Sequence, residues 1–210
     1  MTFRIFIGYD KRQPLAYQVC RHSIERRASR TVKIQPLMMD WMPVKRRGLT
    51  DFTFSRYCVP YLCGYHGFAL FIDPDIIVLD DIIKILDHYD QRNAVSVVKS
   101  PMRFDWPSVM LFNNAICDNL TLELIETGSP QKLEWADNIG ELPKEWNHLV
   151  GYDQPNPDAK LVHFTKGIPC WPETNHGEYA QAWCDEANHS NSTVTWQELM
   201  GDSVHAKHMK

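Results

Sequence analysis

Apolar residues fall in short blocks along the first 112 positions, and the spacing inside each block separates strand from helix. FRIFIG (3–8) and VKIQPLM (32–38) predict strands, while PLAYQVCRHSIERRA (14–28) sets Leu15, Val19, Cys20 and Ile24 on one side with arginines opposite, the spacing of an amphipathic helix. FTFSRYCVPYLCG (52–64) predicts a helix broken near Pro60. AVSVV and SVMLF predict two more strands, and LTLELIET a helix closed by Gly128. The longest block is ALFIDPDIIVLDDI (69–82), rich in Ile and Val, which predicts a strand buried on both faces in a parallel sheet. Asp80 or Asp81 caps a following helix through about Tyr89, with Ile82, Ile83, Ile85 and Leu86 on its buried side.

Charge does not belong inside such a strand, so Asp73-Pro74-Asp75 calls for an explanation. Proline removes a ladder donor and drives the preceding residue toward extended geometry, so the strand is expected to end at Ile72 with Asp73 opening a loop at its carboxyl end. In open α/β sheets that edge is where ligands bind. Extended chain puts positions 73 and 75 on one side, offering two oxygens to a hard cation such as Mn or Mg. The alternative for a bare triplet is a turn with two solvated aspartates and a helix cap. A third ligand is offered by KLVHFTKGIPCW (160–171), where His163 ends a short strand and the turn behind it holds Lys166 and Gly167, a cation and a free amide suited to phosphate oxygens.

Strands alternating with helices in the first half indicate an α/β doubly wound domain of the nucleotide-binding type. The second half loses that rhythm and carries Trp135, Trp146, Trp171, Trp183 and Trp196 among prolines and turns, which suits a smaller mixed region. The expected organisation is one domain over 1–188, with a donor half of about 1–112 and an acceptor-side region of about 113–188, followed by a polar tail over 189–210. No G-x-G-x-x-G, G-x-x-x-x-G-K-[ST], H-E-x-x-H or G-x-S-x-G occurs. Without a glycine-rich phosphate loop, a diphosphate must be held another way, and a metal on carboxylates is the obvious substitute.

The net charge of −4 lacks the basic excess of a general nucleic-acid binder. The local clusters Arg26, Arg27, Arg30 and Lys45, Arg46, Arg47 read as solvated faces, the second leaving peripheral contact with a membrane open. The amino terminus enters a strand at once, no apolar window reaches spanning length, and the six cysteines form no C-x-x-C. A cytoplasmic chain with reduced core cysteines is expected, in which the sequons at Asn119, Asn188 and Asn191 carry no meaning.

The stretches IFIGYDKRQPLAYQVCRHSI, FTFSRYCVPYLCGYHGFALFIDPDIIVLDDI, WPSVMLFNNA, IGELPKEWNHLVG and KLVHFTKGIPCWPE together resemble glycosyltransferases of the glycosyltransferase-A fold. Family 8, which includes glycogenin and bacterial galactosyltransferases, is the nearest group, and the chain also resembles bacterial proteins known only as glycosyltransferases. The resemblance implies a nucleotide-sugar donor, expected to be a UDP-sugar, and transfer with retention to a glycan, a lipid-linked or another small acceptor. It implies a divalent metal, Mn or else Mg, on Asp73, Asp75 and His163. Tyr9 and Asp10 match where the family binds base and ribose, and Arg56 matches its basic residue near the donor. Asp137 and Asn147 are candidates for acceptor or sugar contacts, each otherwise a cap or surface residue. The chain departs from the family at Pro74, in a short stretch between VVKS and WPSVM, and in reading Ile168-Pro169-Cys170-Trp171 where family 8 ends its late motif K-P-W. Those departures keep open a catalytically degenerate nucleotide- or glycan-binding relative, and the ligand set alone leaves a metal-dependent phosphohydrolase as a third reading.

Overall fold

The computed structural model describes residues 3–190. A six-stranded sheet forms the centre, in the order β2-β1-β3-β6-β5-β7, from β1 (Phe3–Gly8), β2 (Val32–Leu37), β3 (Phe68–Ile72), β5 (Val95–Val97), β6 (Val109–Asn113) and β7 (Ile139–Glu141). A three-stranded sheet, β4-β9-β8, stands at its edge, built from β4 (Ile76–Val78), β8 (His148–Leu149) and β9 (Leu161–His163). The helices are α1 (Pro14–Arg27), α2 (Phe52–Ser55), α3 (Val59–Leu62), α4 (Leu122–Thr127) and α5 (Ala180–Ser190).

The period of two in the strands divides the core. Phe3, Ile5 and Ile7 of β1, Leu70 and Ile72 of β3, and Val109 and Leu111 of β6 pack with Cys20 and Ile24 of α1 on one face. Their alternates Phe6, Ala69, Phe71, Met110 and Phe112 pack on the other face with Phe52, Tyr57 and Trp135. Burial of β3 on both faces is as expected, but its surroundings are not wholly parallel. β1 runs parallel to it and β6 antiparallel, so the sheet of this α/β fold is mixed rather than wholly parallel.

Pro74 ends β3 at Ile72, and the chain then crosses into the second sheet as β4. A third core, of Leu15, Val19, Ile77, Val162 and Trp183, joins α1, the small sheet and α5. There Glu186, 1% exposed, accepts from Arg27 Nη1 at 2.6 Å and fixes α5 to α1. Helix α5 runs to Ser190, and residues 191–210, which hold most of the expected tail, lie outside the described part.

Other elements differ in detail. The helix expected over 52–64 is broken at the 3₁₀ turn Arg56–Cys58 rather than at Pro60, which sits in the first turn of α3 where its missing N–H is no loss. The segment after Asp81 is 3₁₀ over Ile82–His88, capped as expected by the Asp81 carboxylate on the Ile83 amide, and it buries Ile82 and Ile85 while Ile83 and Leu86 stay half-buried. Thr121 caps α4 and Gly128 follows it. All six cysteines are free thiols; Cys20, Cys58 and Cys117 are buried, and Cys63, Cys170 and Cys184 half-buried. Among the described residues no helix is long and apolar enough to cross a membrane.

Candidate metal centre and adjoining cleft

Asp73, Asp75 and His163 each offer a ligand atom within 4.8 Å of the others. Strand register brings them together. Ile76 of β4 pairs with His163 of β9, antiparallel, and the Phe164 amide donates to the Asp75 carbonyl at 2.9 Å. On the other side, β6 pairs antiparallel with β3 and the Asp73 amide donates to the Ser108 carbonyl at 2.9 Å. The aspartates are thus held between two sheets.

Asp73 is 6% exposed, and its Oδ1 lies 3.0 Å from Arg56 Nη2 without a hydrogen bond's alignment. Arg56 is buried too; its Nη1 donates to the Pro107 carbonyl (2.8 Å) and its Nε to the Phe52 carbonyl (3.1 Å). Burial pushes the Asp73 carboxyl up to about 6; Arg56 opposes this, and the neighbouring Asp75 charge adds to it. Asp75 Oδ1 is likewise buried without a hydrogen bond, 3.3 Å from His163 Nε2.

Asn147, 1% exposed, fixes the imidazole. Its Oδ1 accepts from His163 Nδ1 at 3.2 Å while its Nδ2 donates to the Asp105 carbonyl at 3.4 Å. With Nδ1 carrying that proton, Nε2 faces the two aspartates. Burial alone would lower the His163 pKa, but the charges of Asp75, Asp73 and Asp105 outweigh it and the net shift is upward. Two buried carboxylate oxygens without hydrogen bonds, facing one imidazole nitrogen, form a donor set that a divalent cation completes. Asp80 and Asp81 do not join it. The first pairs with Lys84 and the second caps its helix, and among the described residues no other such group of ligands occurs.

Beside the cluster opens a cleft of about 360 Å³ with Asp10, Arg12, Phe52, Asp75, Thr165 and Gly167 in its walls. Asp10, following β1, accepts from the Arg12 amide, Nε and Nη2, and although burial opposes the charge, Arg12 holds the carboxyl below the ordinary range. Tyr9 is half-buried with its ring edge-on to Tyr17, centroids 5.5 Å apart.

Three expectations need correction. The Gly167 amide is not free, because it donates to the Phe164 carbonyl at 2.9 Å and closes the turn, with φ at +115° where a side chain would be strained. Lys166 turns away from the cleft, donating to the Gly151 carbonyl (3.0 Å) and lying 4.6 Å over the Tyr152 ring. Asp137 is exposed ahead of β7, and Asn138 next to it accepts from Ala94 at the start of β5. The pairings of β5, β6 and β3 set that point at the amino end of β3, across the sheet from Asp73. Sequence reading had missed Arg12, Thr165, whose buried hydroxyl has no partner, and Asp105.

No family model matches the chain. It is 32% identical to Protein CDI of Arabidopsis thaliana over an alignment of 228 positions, covering 90% of this chain and 87% of that protein. Among solved structures it is similar to the bifunctional glycosyltransferase WbbM (TM-score 0.68, 14% identity, 96% of this chain) and to the glycosyltransferase GlyE of Streptococcus pneumoniae TIGR4 (0.68, 16%, 96%). The chain spans 52% of the former and 63% of the latter. Galactosyltransferase LgtC, solved in complex with donor and acceptor sugar analogues, matches over 93% of this chain and 98% of its own at TM-score 0.63 and 12% identity.

Proposed function

From the premise that this chain belongs to one family with Protein CDI and has the glycosyltransferase-A fold, similar to family 8, we propose that it is a metal-dependent glycosyltransferase. It takes a sugar from a nucleotide-diphosphate donor, a UDP-sugar on this reading, and passes it with retention to an acceptor hydroxyl. The observation that carries the reading is the meeting of Asp73 Oδ1, Asp75 Oδ1 and His163 Nε2 beside the Asp10–Thr165 cleft. Residues 1–112 supply the donor side, and 113–188 return His163 and the acceptor side.

On this reading each side chain has a role that the geometry supports. Asp73, Asp75 and His163 hold the divalent cation, Mn or Mg, and Asn147 keeps Nε2 turned toward it. A cation held there would supply charge neutralisation for the diphosphate. Arg56 keeps Asp73 ionised against its burial, so the ligand set stays anionic. Arg12, half-exposed and paired with Asp10, places a cation in the cleft wall, and Thr165 adds a hydroxyl beside Asp75. A two-metal phosphohydrolase is less well served, since Asp80 and Asp81 are engaged elsewhere.

Product analysis tests the reading. The protein is incubated with UDP-, GDP- and CDP-sugars and Mn, with and without chelator. Metal-dependent release of UDP with the sugar on an acceptor or on water supports it, whereas release of nucleoside monophosphate would identify a phosphohydrolase. Nucleotide binding without turnover would identify the degenerate relative.

A further inference from the structure

Among the described residues seven large apolar side chains stand exposed, and five of them gather at one edge of the main sheet. Strands β1 and β2 end there, at Gly8 and Leu37, and β3 ends there beside the start of β6. Trp41 and Leu49, 78% and 90% exposed, sit in the loop after β2, and Met102 and Phe104 in the segment before β6. Tyr152 joins them, edge-on to Phe104 with ring centroids 6.0 Å apart. Tyr61 and Ile116 lie at the opposite edge, ahead of β3 and behind β6.

The loop after β2 is anchored from within, which is why these side chains point outward. Met39, Met42 and Val44 are buried in one core with Phe52 and Phe54, leaving Trp41, Pro43 and Lys45 at the surface. Arg47 braces the loop, lying 2.7 Å from Asp51 and 3.2 Å from Asp40, and Arg12 Nη2 donates to the Leu49 carbonyl at 3.1 Å. Arg46 does not belong to this surface, because its guanidinium bonds the Ile125 and Gly128 carbonyls and covers the Phe54 ring at 3.8 Å. Lys11, Lys45 and Arg103 are exposed, and none of them has an ion pair among the described residues. Arg12 cancels Asp10 and Arg47 cancels one of Asp40 and Asp51, so three unpaired cations face one surplus acid.

Exposed apolar side chains that alternate along the chain with Lys45, Arg47 and Arg103 suit a surface that is apolar in depth and anionic at its face. A protein partner is met by a contiguous apolar centre with charge kept to the rim, whereas single apolar side chains between cations match the headgroup layer of a bilayer. We propose that this edge docks on an anionic lipid bilayer, with Trp41 and Leu49 entering the headgroup layer and Lys11, Lys45 and Arg103 meeting lipid phosphates. The proposal does not use the glycosyltransferase reading. It turns the mouth of the Asp10–Thr165 cleft, where Leu49 forms part of the wall, toward the lipid.

The test is flotation of the full chain with vesicles of phosphatidylcholine alone and of phosphatidylcholine with an equal share of phosphatidylglycerol, at low and at high salt. Three paired variants accompany the wild type: Trp41→Ser with Leu49→Ser, Lys11→Gln with Lys45→Gln, and Tyr61→Ser with Ile116→Ser at the opposite edge. All these positions are exposed, and melting curves check that each variant is folded. Expected is salt-sensitive binding about tenfold stronger to the anionic vesicles, weakened about tenfold in each of the first two pairs and less than about twofold in the third. No flotation of the wild type, equal flotation with both compositions, or either of the first two pairs floating like the wild type overturns the proposal. An equal loss in the opposite-edge pair also overturns it, as does light scattering that shows a dimer dissociated by Trp41→Ser with Leu49→Ser, which would give the surface to a second copy.

Discussion

Asp73 and Asp105 stand near the same edge of the main sheet, one just after β3 and the other shortly before its antiparallel neighbour β6. Each is buried, and each keeps a carboxylate oxygen without a hydrogen bond. Their surroundings differ. Asp73 faces the Arg56 guanidinium, a second carboxylate and an imidazole, whereas Asp105 accepts from a serine hydroxyl and feels the charges of Lys144 and His163. Two negative charges with one guanidinium leave a deficit of positive charge that a divalent ion fills. The same side chain at the same edge is thereby set in two different electrostatic surroundings by what faces it.

The largest effect expected is from removing the cation that the protein itself supplies. Arg56→Met should destabilise the fold by about 3–5 kcal/mol in urea unfolding, because it leaves Asp73 buried and unpaired. Adding Asp73→Asn to that variant should recover part of the loss; a single variant as stable as wild type would show that Asp73 is not ionised in the folded chain. Ser100→Ala, the matching change at Asp105, should cost less, about 1–3 kcal/mol by the same measurement, since it removes one neutral donor. Equal losses at the two sites would erase the distinction drawn between them.

Asn147→Ala frees the imidazole and should weaken Mn binding about 10–100-fold by calorimetry, and because it removes two buried hydrogen bonds it should also lower the melting point in chelator. The pH effect is smaller and has a definite sign. Asp73 is raised to about 6 from an ordinary 3.8, so the folded chain binds more protons than the unfolded one between those values. Stability without metal should therefore rise as pH falls from 7 through 6 and level off below 3.8. Protons compete with the cation for the same oxygens, so Mn affinity should drop about tenfold from pH 7 to pH 5. A flat Mn titration across that range would remove Asp73 from the ligand set.

Much of the first half of the chain could be read from residue order. The apolar block 69–82 interrupted by Asp73-Pro74-Asp75 marked the strand end and the ligand pair, because a proline between two buried runs permits few other arrangements. β1, α1, β2 and β6 carry enough residues for periodicity to identify them. β4 and β9 are readable as short strands in IIVL and KLVHF, but β7 and β8 are two or three residues long, too short to show a period, and the second sheet exists only through pairings between distant segments. That is why His163 was recognisable as a ligand but its partner Asn147 was not recognisable as its orienting group. Lys166 and Gly167 suggested phosphate contacts by residue type, yet the turn at 164–167 directs the amide inward and Gly151 and Tyr152 take the ammonium. Asp105 gave no signal at all. Its burial comes from the packing of the 3₁₀ turn Arg103–Ser108, which local sequence does not encode.

The central claim is that Asp73, Asp75 and His163 form a cation site that supports nucleotide binding. Calorimetric titration of UDP into the wild type and Asp75→Asn, each with Mn and with chelator, addresses it directly. Expected is UDP binding that needs Mn in the wild type and loses more than the about 10–100-fold of an orienting residue in Asp75→Asn. UDP binding of equal strength in all four titrations would contradict the claim, leaving the aspartates as a buried structural pair.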